Sequence, residues 1–200
     1  MKIKKWVSTI AVVIVIAVSF PTVSFAKSLI RLNVDAIYQD DYTQALFEYN
    51  GYPRSVSSSG CGAACVSMVI DLLAPHIDQT PETLLLWAYN HELYTGSGLS
   101  INTLIEMLNT FELDGKLIGK HPKRIRTALR AGEPLIAYMG PGIFTNSGHY
   151  IVIAGIDKVD QVFVIDPNSK ILSNQWYSLD VIFKELGNQT GIIACGKPIG

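Results

Sequence analysis

Ser57-Ser58-Ser59-Gly60-Cys61-Gly62-Ala63-Ala64-Cys65-Val66-Ser67-Met68-Val69-Ile70-Asp71-Leu72-Leu73 decides how this chain is read. Small polar breakers come first, and the chain then stays apolar from Cys61 to Leu73 except at Ser67 and Asp71. Those two residues are four apart, so they share one narrow helical face. A helix this apolar lies inside the protein. Ser59 is the expected N-cap, which puts Cys61 in the first turn. Unpaired N–H groups and the positive end of the helix dipole converge there and favour thiolate over thiol. Gly60 and Gly62 flank Cys61 and would let a substrate backbone come close. Taken alone, a cysteine at a helix start is as readily a structural residue as a nucleophile.

Upstream, Lys2, Lys4 and Lys5 precede an uncharged apolar run from Trp6 to Phe20, then Pro21, then Ser24-Phe25-Ala26. That order reads as a secretory signal over residues 1–26, with a single domain over 27–200. The apolar run is shorter than the ~20 residues of a spanning helix, so contact with a membrane is expected to be transient. An uncleaved anchor is the other reading. Residues 27–59 read as an extended, turn-rich lead-in, with Tyr52-Pro53 and the serine run as breakers.

Downstream, Thr80 caps a helix that starts at Pro81 and turns Trp87 inward. Ser100 caps another, from Ile101 to about Phe111. A short basic helix runs from Pro122 to Ala131 and stops at Gly132. Pro134 to Met139 is strand-like. Tyr150 to Ala154 and Val162 to Ile165 read as a hairpin turning at Asp157-Lys158. A short helix near Leu179 to Leu186 and a strand from Gly191 to Cys195 close the chain. Helices first and an antiparallel sheet second make an α+β domain.

The hairpin carries the partner chemistry. With the turn centred on Asp157-Lys158, Val152 opposes Phe163 and His149 opposes Asp166. Facing residues lie about 4.5–5.5 Å apart at Cβ, so a carboxylate meets an imidazole. Such a carboxylate fixes the tautomer and supports the imidazolium formed when a thiol gives up its proton. Three cysteines are an odd number for a secreted chain. Cys65 reads as buried and inert, and a Cys65–Cys195 disulfide is possible.

Ser57 to Ala64, followed by the apolar helix, resembles the nucleophile segment of papain-like cysteine peptidases. Gly148-His149-Tyr150-Ile151-Val152-Ile153-Ala154-Gly155 and Val164-Ile165-Asp166-Pro167 are similar to the histidine strand and third-member motif of the bacteriocin-leader-peptidase-like group, cysteine peptidase family thirty-nine-like. The resemblance covers about residues 35–195. It implies a papain-like fold with a helical half packed on an antiparallel sheet. It implies Cys61 as nucleophile, His149 as base and Asp166 as orienting acid. Two positions depart from the pattern. Ser55 stands where the leader peptidases carry an oxyanion-binding Gln, a role that Gln39 could fill from further upstream. Ala63 stands where the group often has Pro.

Other chemistry is weakly signalled. The formal net charge is −1, and loss of the signal lysines makes it more negative, so nucleic acid is not expected. Lys120, Lys123, Arg124, Arg126 and Arg130 read as a solvated helix face, with an anionic surface polymer as the alternative. His76, His91 and His121 read as surface residues. No metal site or cofactor motif is expected. The expected protein is a secreted, monomeric thiol hydrolase acting on a peptide or protein substrate. A non-catalytic extracellular binding domain that keeps the fold is the other reading.

Overall fold

A computed structural model of the chain describes residues 29–188 and 191–197. The expected signal segment, residues 1–26, lies outside the described residues. The central helix α2 (Cys61–Leu73) is buried along most of its length. Its one buried polar side chain, Ser67, donates to the Gln79 carbonyl at 2.7 Å. The helix α3 (Pro81–Asn90) follows Thr80, which caps Thr83 N, and α4 (Ile101–Thr110) follows Ser100, which caps Thr103 N. Both caps satisfy first-turn N–H groups, as their sequences require. Trp87 is only half-buried and stacks on His91 with 4.4 Å between ring centroids.

The lead-in is more structured than its breakers suggest. A short strand β1 (Ile30–Arg31) is followed by a 3₁₀ turn at Gln39–Asp41 and a hairpin of β2 (Phe47–Tyr49) and β3 (Tyr52–Arg54). Asn50 and Gly51 turn that hairpin with φ of 52° and 79°. Both are in the left-handed region that a tight hairpin needs. Pro53 is tolerated because the ribbon has only two strands, so a missing donor can face outward. The serine run is not a breaker but a single helical turn, α1 (Val56–Ser59). Ser55 caps it through a reciprocal bond with Ser58. Ser59 therefore ends α1, and Gly60, without a side-chain cap, precedes α2.

The remaining strands are β4 (Asp114–Leu117), β5 (Leu135–Met139), β6 (His149–Ile156), β7 (Gln161–Ile165), β8 (Gln175–Ser178) and β9 (Ile192–Gly196). They form one antiparallel sheet in the order β4-β9-β5-β6-β7-β8, with β1 joining β6 beyond the end of β5. The edge strands β4 and β8 have no apolar run to announce them. Tertiary pairing forms them.

Every residue of β6 is buried, so the strand shows no polar alternation. Both faces of the sheet are covered, which produces that pattern. Tyr150, Val152 and Ala154 pack with α2, α3 and α4. Ile151 and Ile153 pack on the opposite side with α5 (Pro122–Arg130) and α6 (Leu179–Glu185). The domain is α+β as expected, and the two helices expected at Pro122 to Ala131 and near Leu179 to Leu186 cover the far face of the sheet. The basic helix α5 is not wholly solvated: Arg126 is buried and pairs with Asp160.

Candidate active site

Cys61 opens α2, partly exposed at the bottom of a cleft of about 340 Å³. The opposite walls come from the loop Thr95–Ser100 and from Tyr138, Gly148 and Tyr150. The flanking glycines also serve packing. A Cβ on Gly60 would stand 2.6 Å from Val56 Cα. A Cβ on Gly62 would meet Leu104 at 3.0 Å and the Tyr150 ring at 3.3 Å. Both glycines therefore let α1 and the sheet close on the start of α2.

His149 begins β6, and Asp166 immediately follows the end of β7. The register between them differs from the expected one. Val152 pairs with Ile165 and Ile153 with Val164, and the pairing then slips to Gly155–Phe163 and Ile156–Val162. The slip marks a bulge. The turn is also longer than expected. The Asp157 Oδ1 accepts from both Val159 N and Gln161 N at 2.8 Å, and Asp160 takes a φ of 63°. Continued past β7, this register puts Asp166 across from Ile151. His149 and Asp166 are thus diagonal neighbours, not facing ones.

They still meet. The His149 Nε2 donates to Asp166 Oδ1 at 2.7 Å, with the carboxylate fully buried and the ring nearly so. The same Oδ1 accepts from Asn168 N at 2.8 Å, and Asp166 N donates to the buried Ser173 hydroxyl at 3.1 Å. Burial opposes a charge on the ring. Hydrogen bonds to Asp166 and to Cys61, with the charges of both, outweigh it and raise the His149 pKa to about 9. Since Nε2 is held by Asp166, Nδ1 is the nitrogen left for the sulfur. The structure thus brings Cys61, His149 and Asp166 together.

Gln39 lies in the 3₁₀ turn and is buried. Its N–H donates to Pro167 O at 2.8 Å and its Nε2 to Ser57 O at 3.0 Å. It therefore ties the loop after Asp166 to the helical turn before Cys61. Ser55, at the position expected for an oxyanion Gln, is occupied as a helix cap.

The other cysteines stay out of the site. All three are free thiols, so no Cys65–Cys195 bridge is made. Burial pushes the Cys65 and Cys195 thiols well above their ordinary range. Such thiols are poor nucleophiles. His76, His91 and His121 are exposed. Among the described residues no cluster of His, Cys, Asp and Glu could hold a metal.

The family profile described as Peptidase_C39 like family matches residues 31–190. The chain belongs to this family. Peptidase_C39-like proteins are cysteine-type peptidases, and this chain is one of them. Two solved structures share the fold. One is described as a C39-like peptidase from Bacillus anthracis, at 14% identity and a TM-score of 0.58, covering 86% of this chain and 98% of that one. The other is the peptidase domain of Streptococcus ComA, a bifunctional ABC transporter, at 18% identity and a TM-score of 0.51, covering 70% and 92%. No curated protein matches the sequence. The Peptidase_C39-like site also uses residues that the sequence reading passed over. Asn168 was signalled by the Asp166-Pro167-Asn168 turn. Ser173, Tyr138 and the loop Thr95–Ser100 carry no local signal and reach the site only through the fold.

Proposed function

We propose that the chain is a secreted thiol peptidase that cleaves a peptide or isopeptide-like amide through Cys61, His149 and Asp166. The observation carrying this reading is the 2.7 Å bond from His149 to a fully buried carboxylate, on a ring whose charged form Cys61 also favours. The Cys61 thiolate attacks the carbonyl carbon, and the carbonyl electron pair moves to oxygen. The Cys61 backbone N–H receives that oxyanion, with the second N–H of the Gln39 amide as the other donor. His149 gives its Nδ1 proton to the departing amine, which leaves a thioester. Water, deprotonated by His149, then releases the acid and restores the sulfur. Asp166 holds the ring orientation throughout. Secretion is supported by the basic, apolar and small-residue order of residues 1–26.

Iodoacetamide tests the site directly. Cys61 is expected to be alkylated much faster than buried Cys65 or Cys195, and Cys61→Ala to abolish peptide hydrolysis. Equal, slow labelling of the three thiols would remove the nucleophile. A Cys61→Ser protein that supports the parent's cellular phenotype would instead identify a binding domain that keeps the fold. Gln39→Ala is expected to lower kcat about 10²-fold with little change in KM, the size of one oxyanion donor.

A further inference from the structure

We propose that the outer flank of α5 is an anion-binding exosite, built on the Arg126 guanidinium, for a phosphate-bearing polymer. It is independent of the peptidase reading, because α5 packs on the sheet face opposite α2 and Cys61. Arg126 is only 8% exposed. One terminal nitrogen pairs with the Asp160 carboxylate, while Nη1 is buried with no acceptor among the described residues. A buried cationic donor without an acceptor is costly, and the Arg126 charge behind the cavity wall favours an anionic group in the cavity.

Arg126 lines a cavity of about 290 Å³ with Pro122, Lys123, Thr127, Arg130 and Asp160. Lys123 and Arg130 are exposed and have no ion pair among the described residues. The one carboxylate in the cavity is already paired to Arg126, so the cavity keeps positive charge. Pro122 puts the start of α5 at the rim, and its first turn has no side-chain cap. A second cleft of about 440 Å³ shares Lys123 and Thr127 and adds Lys116, Arg124 and Glu133. The two clefts straddle one helical ridge, so a chain of repeated phosphates can place successive groups on either side of Lys123. Tetrahedral phosphate oxygens suit a guanidinium with one edge already committed.

Concentrated on one helix of a chain with net charge −1, these cations make a local attractive field rather than a general one. Neither cleft has a Phe, Tyr or Trp in its walls. Stacking platforms for bases are therefore missing, which favours a polyphosphate-like chain over single-stranded nucleic acid.

Fluorescein-labelled linear polyphosphate, followed by anisotropy with the full protein, tests this. Binding is expected at low salt and should weaken steeply as salt rises. The double variant Lys123→Gln, Arg130→Gln should bind at least about tenfold more weakly. Its thermal midpoint and Cys61 alkylation should match the parent, since both side chains are exposed and lie across the sheet from the thiol. The proposal is overturned by absent binding at low salt, by a double variant that binds like the parent, or by single-stranded DNA of equal charge binding more tightly.

Discussion

Burial alone would strip the charge from His149, yet its pKa is raised to about 9 because Asp166 and Cys61 hold the charged ring from both sides. This separates two things that a pH profile can read. Alkylation of Cys61 needs only the thiolate, whereas amide cleavage also needs a proton on His149 for the departing amine. Hydrolysis is therefore expected to fall as pH rises through about 9, while iodoacetamide labelling of the same protein does not fall. Parallel profiles of the two rates check this. Asp166→Asn keeps the side-chain shape and removes the charge. It should lower kcat by about 10²–10⁴ and move the alkaline limb to lower pH, because the imidazolium loses its anionic partner. The reacting residues were legible because their chemistry needs particular residue types beside particular elements. Their supports were less legible. Ser173 reaches the Asp166 N–H, and Tyr138 walls the cleft, through packing that no local pattern announces.

Among the elements, α2 and β6 were readable from their apolar runs, and the stop signals around them set their ends within a few residues. What failed was detail that depends on neighbours. The hairpin register slipped because Asp157 closes a longer turn and a bulge follows, and neither changes the hydrophobic pattern. The strands β4 and β8 were missed because each owes its existence to the strand it pairs with. The serine run folds into α1 because Ser55 and Ser58 cap each other. Removing that cap with Ser55→Ala should cost about 1 kcal/mol, read as a lower urea midpoint with an unchanged slope. Gly62→Ala tests the contact of α2 with the sheet. Its new Cβ would press on Leu104 and on Tyr150, the residue after His149. A loss of about 1–3 kcal/mol is expected, together with a lower kcat as the start of β6 is displaced.

At the scale of the whole molecule, the buried titratable groups together make stability depend on pH in one direction. His149 has its folded pKa raised from 6.5 to about 9. The stability it contributes is fully present below pH 6.5 and is lost as pH rises through about 9, since the folded state then binds more protons than the unfolded one. Cys65 and Cys195 act with the same sign at higher pH. Burial raises both thiols above their ordinary value of 9.0, so above that pH the unfolded chain gives up protons that the folded chain retains. The thermal midpoint is therefore expected to decline from near neutrality upward and more steeply beyond pH 9. Asp166→Asn separates the contributions. Without the carboxylate the His149 pKa returns toward its ordinary value, so the slope between pH 6.5 and 9 should flatten while the steeper decline above pH 9 remains. Differential scanning calorimetry of both proteins across that range reads the two segments independently. A parent midpoint that is flat from pH 6.5 to 9 would mean that the His149–Asp166 pair does not hold its proton in the folded protein.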